Sequence, residues 1–312
     1  MLPRELIKKV RRIELVTRRL VNPQLAGAYH SVFKGRGMDF DEVVPYSAGD
    51  DVRFIDWNVS ARTGGLHVKR FVEERELTVQ ILVDVSSSMS FGTGAETKRL
   101  VAAQIAAVLA VLAIKNNDRV GLTLFDTSVD VYIAPKKGKK HVLRLVTQIL
   151  DHAPRNAETC IAEALQYVMR VSRRRSVMFV ISDFLDSKYE DALRIASRRH
   201  DVIPIVIGDP FERSLAPVSP PRGVWARVSD WLFGAGLVEL DDLEGGGVAT
   251  LDLGSAAHRT AVEKRAAADA DELRRLFNRL RLDSIELSAH ATDEVDYVKP
   301  LAAFFRRRSA RH

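Results

Sequence analysis

Four apolar stretches of this 312-residue sequence each run into an aspartate: Asp84, Asp126, Asp183 and Asp209. In open α/β sheets, ligands bind in the crevice outside the carboxyl ends of the strands, so an acid there is a site candidate. Taken singly, each is equally a turn former or a helix N-cap. Asp84 stands apart, because Asp84-Val85-Ser86-Ser87-Ser88-Met89 sets oxygen-bearing side chains at i, i+2 and i+4. If the chain leaves its strand still extended, alternate side chains point to one side, and Asp84, Ser86 and Ser88 converge above the sheet. A carboxylate with neutral hydroxyls suits a hard divalent cation such as Mg²⁺, which takes oxygen ligands. Mn²⁺ accepts the same set. Three oxygens leave an octahedron incomplete, and loops over neighbouring strands should supply more. Thr159, opening a helix, and Asp183, ending a strand, are placed to do so.

Other chemistries fit less well. A phosphatase of the haloacid dehalogenase type needs a second acid two residues after the first, and Ser86 stands there. No Gly-x-Ser-x-Gly nucleophile elbow surrounds the serines. Gly138-Lys139-Lys140 has the lysine of a phosphate-binding loop but not the rest. His30, His67, His141, His152 and His200 show no metal-binding spacing, and Cys160 reads as a small residue at the head of a helix. With no triad, acid/base pair or nucleotide loop, the sequence reads as a binding protein rather than an enzyme. The alternatives are a phosphoryl-transfer or hydrolytic enzyme using Asp84, and a nucleic-acid-binding protein using the basic segments 136–140, 173–175 and 306–308.

The elements that must position these residues begin at about residue 77. Strands are expected at 77–83, 120–125, 177–182, 202–207 and 284–289, with 129–133 beside the second. Helices are expected at 96–114, 138–150, 159–171, 189–199, 256–280 and 295–307. Strand and helix in alternation indicate a parallel sheet covered on both faces. Residues 210–236 hold Trp225 and Trp231 and read as an inserted loop. Segments 237–240 and 248–253 flank Glu244-Gly245-Gly246-Gly247, a hairpin signal. Residues 30–76 are turn-rich and strand-like. Leu6, Val10, Ile13, Val16 and Leu20 recur at helical spacing, giving an amphipathic helix within 1–29.

Asp-x-Ser-x-Ser after a first buried strand, a later Thr and a later Asp resemble the metal-ion-dependent adhesion site of von Willebrand factor A domains. Asp84, Ser86, Ser88, Thr159 and Asp183 match its five positions. That resemblance implies direct metal contact by the hydroxyls, water-mediated contact by the aspartates, and a sixth position left for an acidic side chain of a partner protein. Upstream, Gly35-Arg36-Gly37-Met38-Asp39-Phe40-Asp41-Glu42-Val43, Gly49-Asp50-Asp51-Val52-Arg53, Ile55-Asp56-Trp57-Asn58 and Ala61-Arg62 resemble the family called domain of unknown function 58. The match extends over about residues 30–305. It implies a doubly wound, mostly parallel von Willebrand factor A-like domain at 77–312 with an insertion at 209–254, preceded by a β-rich subdomain at 30–76. It also implies a MoxR-type AAA+ ATPase as partner. Arg53, Asp56, Trp57 and Arg62 serve either as a recognition surface beside the metal or as a salt-bridged turn that fixes the subdomain.

The net charge of +6 is unevenly spread. Residues 1–38 carry nine Lys and Arg against two acids, and 306–312 carry four Arg and no acid, whereas 39–56 hold six acids and one Arg. Cationic ends on a balanced body argue against a continuous nucleic-acid surface and leave peripheral contact with an anionic membrane open. No stretch reaches the roughly 20 apolar residues of a spanning helix, and the first twenty residues lack the apolar run of a secretory signal. With a single cysteine, the expected compartment is the cytoplasm.

Overall fold

The computed structural model describes residues 4–33, 39–72, 76–92, 97–153, 158–186, 188–209, 237–241, 248–252, 256–289 and 297–311. The amphipathic start of the chain folds as two helices rather than one. In α1 (Arg4–Leu20), Ile13, Val16 and Leu20 are buried, as their spacing requires. The break falls at Asn22-Pro23, because the residue before a proline is driven out of the helical region. Asn22 caps α2 (Pro23–Val32), its side chain accepting from the Leu25 N–H at 2.8 Å. Pro23 sits where a missing N–H costs nothing.

Strand β1 (Asp39–Pro45) pairs antiparallel with β2 (His67–Val72), with an irregularity between Phe40 and Glu42. Between them lies α3 (Trp57–Thr63), where the turn-rich sequence suggested only strand-like structure. Asp56 starts it by accepting from the Asn58 and Val59 N–H groups at 3.0 and 3.1 Å. Gly64 ends it with φ 75°, the left-handed position that favours glycine.

The main sheet is built from β3 (Thr78–Asp84), β4 (Arg119–Phe125), β5 (Val129–Lys136), β6 (Val177–Ser182), β7 (Asp201–Gly208) and, near the end of the chain, β10 (Ile285–Ser288). Its order is β10-β7-β6-β3-β4-β5, parallel except for β5. Strands β8 (Leu237–Asp241) and β9 (Val248–Asp252) form the expected antiparallel hairpin. Residues 210–236, with Trp225 and Trp231, lie outside the described residues, as do 34–38 and 73–75.

Both faces of the sheet are covered, which is why its central strands are continuous apolar runs. On one face Val79, Ile81, Val83, Phe179 and Ile181 pack with α4 (Lys98–Lys115), α5 (Lys139–Asp151) and α9 (Val298–Ser309). On the other, Leu82, Met178 and Val180 pack with α6 (Ile161–Val171), α7 (Glu190–Arg199) and Phe277 of α8 (Ala256–Arg279). The period of two along β3 and β6 assigns each residue its face.

Helix α4 is buried along nearly its whole length, with only Lys115 exposed. The sheet lies on one side of it, and α1, α2 and α5 pack against it as well. Tyr29 of α2 stacks edge-on against Phe305 of α9, and Phe33 reaches Phe179 of β6. His30, Ser31 and Val32 therefore belong to α2, and Val32 and Phe33 to the core, where the sequence placed the start of a β-rich segment at residue 30. No helix among the described residues is long and apolar enough to cross a membrane.

Candidate functional site

The strand order brings four carboxyl-terminal strand ends side by side: β7, β6, β3 and β4 lead into Asp209, Asp183, Asp84 and Asp126. All four acids are buried. Asp126 closes its own turn, accepting from the Ser128 N–H at 3.2 Å, while its carbonyl accepts from the Cys160 N–H at 2.8 Å. That bond sets the residue before Cys160, Thr159, above the sheet.

Asp84 is the hub. The Thr159 hydroxyl lies 3.3 and 3.2 Å from its two oxygens, and the Ser182 hydroxyl donates to Oδ2 at 2.7 Å. The Ser86 N–H donates to Oδ1 at 2.9 Å. Past the strand, the chain does not stay extended as the sequence suggested. It turns into a short 3-10 segment, Ser87–Ser90, anchored by the fully buried Met89. The turn still gathers the hydroxyls, and Ser86 Oγ and Ser88 Oγ are 3.1 Å apart.

Asp183 follows Ser182 and is held by its surroundings. Phe184, at φ 58°, donates its N–H to the Ser182 hydroxyl at 3.0 Å and packs its ring on Tyr189 and Phe277. Asp183 Oδ2 accepts from the Lys98 ammonium at 2.9 Å. Its Oδ1 is buried with no hydrogen-bond partner among the described residues. Burial, and next the charge of Asp183, push the Asp84 carboxyl up to about 6, against hydrogen bonds from Ser182 and Ser86 that hold it down.

The sequence-derived set of Asp84, Ser86, Ser88, Thr159 and Asp183 thus converges on one place. A buried carboxylate, Asp84, whose ionisation the neighbouring Asp183 opposes, a buried unpaired oxygen and three hydroxyls fit a hard cation, whose charge would favour the ionised Asp84. The set is hydroxyl-rich: among the described residues no three His, Cys, Asp or Glu side chains gather as a metal cluster.

The second predicted group lies in α3 and the short segment before it. Trp57 is 68% exposed, and Arg53 and Arg62 are exposed as well. Arg53 pairs with Asp51 at 2.6 Å and holds that carboxyl down to about 2. Asp56 caps α3 and lies 3.4 Å from Lys69. These residues do not form a buried salt-bridged turn; Arg53, Trp57 and Arg62 face water because a two-stranded ribbon with one seven-residue helix cannot enclose them.

Residues 42–272 match the family described as "Protein of unknown function DUF58". The chain belongs to this family. It is 31% identical over 217 residues to the uncharacterized protein Rv1480 of Mycobacterium tuberculosis, covering 69% of this chain and 68% of that protein. Uncharacterized protein Mb1516 of Mycobacterium bovis matches to the same extent. Among solved structures, an aerotolerance-related membrane protein of Bacteroides fragilis is 14% identical at a TM-score of 0.45, covering 74% of this chain and 99% of that one. The VWA domain of SpRpn10 is 20% identical at a TM-score of 0.33, covering 43% of this chain and 77% of that one.

Two residues of the DUF58 chain's site escaped the sequence reading. Ser182 looked like one more strand residue. Lys98 opens an apolar helix, and the signal was there: a lysine in the first turn sits at the wrong end of the helix dipole, so its reason must be non-local.

Proposed function

We propose that this chain is a non-enzymatic, divalent-metal-dependent adaptor that captures a protein partner through the Asp84 site. The observation that carries the reading is the convergence of Asp84, Ser86, Ser88, Thr159 and Asp183 at adjacent strand ends, with one carboxylate oxygen buried and unpaired. Asp84, Thr159, Ser86 and Ser88 would hold the ion, with Asp183 behind them. A bound Mg²⁺ or Mn²⁺ supplies an electropositive centre that a Glu or Asp of the partner can complete. The protein's own groups keep the acids buried and turned toward one point.

A binding role is supported by how the site's hydroxyls are used. Thr159 and Ser182 face a carboxylate. Among the described residues, His141, His152 and His200 bond the Val120 carbonyl, Asp130 and Ser176, not a hydroxyl of the site. The family resemblance suggests a MoxR-type AAA+ ATPase as the machine served, in the cytoplasm, with the exposed Arg53, Trp57 and Arg62 as a second contact surface. Calorimetric titration with Mg²⁺ and Mn²⁺, with partner capture in the presence and absence of chelator, tests the reading. Asp84→Asn keeps the shape and removes the charge. It should abolish metal binding and metal-dependent capture, a loss of about 100-fold or more, with the fold intact. Capture that is equal in chelator and in the variant would overturn the mechanism.

A further inference from the structure

Lys98 is an expensive residue. Its side chain is 0% exposed, and its ammonium is 2.9 Å from Asp183 Oδ2, itself buried. Removing an ammonium from water costs several kcal/mol, and a buried ion pair gives little net stability over well-packed apolar residues. The position is unfavourable locally too, since the start of a helix already carries partial positive charge. From Leu100 to Ile114 the helix is apolar except for Gln104 and packs as core, and that packing needs no ammonium at its head. The chain is tied there nonetheless. The Lys98 N–H donates to the Phe91 carbonyl at 2.9 Å, and the Phe91 N–H donates to the Ser88 carbonyl at 3.2 Å. The lysine is thereby joined to the serine turn through backbone and to Asp183 through its ammonium.

We propose that Lys98 is the resident counter-ion of the site, and that it makes divalent-metal binding conditional on an anionic partner. This rests on the metal-dependent reading above. Charge balance gives the reason. Asp84 and Asp183 with Lys98 leave one net negative charge. A divalent ion then overcompensates, and a carboxylate from the partner restores neutrality. Without the lysine, the two acids alone neutralise the ion, and an incoming carboxylate gains nothing from its charge. Lys98 therefore weakens metal held alone and strengthens metal held together with a carboxylate, which is a coupling between two ligands.

The test is calorimetric titration of the full chain with Mg²⁺, alone and in saturating acetate as a carboxylate probe. In the wild type, acetate should tighten Mg²⁺ binding about tenfold. Lys98→Met should bind Mg²⁺ alone about tenfold more tightly than the wild type and lose most of the acetate effect. Lys98→Gln, which keeps a polar end toward Asp183, should do the same and serves if the methionine variant folds poorly. Metal bound by the variants but not by the wild type would support the inference in its strongest form. Two results would overturn it while leaving the metal site standing: variants that bind Mg²⁺ equally or more weakly, or a wild type whose measurable Mg²⁺ affinity ignores acetate. No Mg²⁺ or Mn²⁺ binding by any of the three proteins overturns both the inference and the reading beneath it.

Discussion

Asp118 and Asp183 are buried acids at opposite ends of one sheet. Asp118 precedes β4 and is fully bonded: Oδ1 accepts from the Leu77 N–H at 2.9 Å and Oδ2 from the Tyr29 hydroxyl at 3.2 Å. Both donors are neutral, and each comes from a different part of the chain, so this acid joins α2 and β3 to β4. Asp183 has an ammonium on one oxygen and no partner on the other among the described residues. Burial lifts the carboxyls of both Asp118 and Asp84 to about 6, but only Asp84 owes part of that rise to a second acid. An acid that serves the fold has its lone pairs filled by the fold. The acids of the proposed metal site instead stand beside a like charge, with one oxygen unfilled among the described residues.

Three measurements break or sharpen that contrast. The largest effect is expected at the structural end. Asp118→Ala strands the Leu77 N–H and the buried Tyr29 hydroxyl, which should cost about 3 kcal/mol in denaturant unfolding. Mg²⁺ affinity should not change, whereas Asp84→Asn should show the reverse pattern. If both variants lose metal and stability together, the two ends are one network and the contrast fails.

The next effect is a pH dependence. The folded Asp118 carboxyl titrates near 6, above its ordinary value of 3.8. The stability contributed by its protonated form is therefore complete below about pH 3.8 and lost as pH rises through 6. Relative to Asp118→Asn, the wild type should lose about 2 kcal/mol between pH 4 and 7. Taking the difference between the two proteins cancels Asp84. It also cancels His200, whose depressed value of about 4 acts in the opposite sense, removing stability as pH falls. A flat difference across this range would show that Asp118 stays ionised.

The smallest effect is expected away from the sheet. Trp57→Ala should change stability by no more than about 0.5 kcal/mol, since the ring is mostly in water. A loss above 1 kcal/mol on thermal or denaturant unfolding would return Trp57 to a packing role and count against its place on a recognition surface.

The sheet was legible because buried parallel strands are written as uninterrupted apolar runs. Segment 177–182 agrees residue for residue with β6. The grouping of Asp84, Ser86, Ser88 and Thr159 was legible because its members stand at strand ends and at a short fixed spacing. Partners far apart in sequence were not. Lys98 meets Asp183 across 85 residues and Tyr29 meets Asp118 across 89, and no periodicity records such pairs. Helix α3 was missed for a different reason. Seven residues hold fewer than two full turns, too few for an apolar stripe, so only the Asp56 cap and the Gly64 stop announced it.

Helix α4 carries a last consequence. A helix covered along nearly its whole length has little surface of its own to offer water, so its neighbours are part of its packing rather than attachments. Two of those neighbours, α1 and α2, precede the segment in which the α/β alternation begins. A fragment beginning at β3 would leave the sides of α4 that α1 and α2 cover open to water. The cationic N-terminal helix belongs to the same cooperative body as the strand ends it helps to hold.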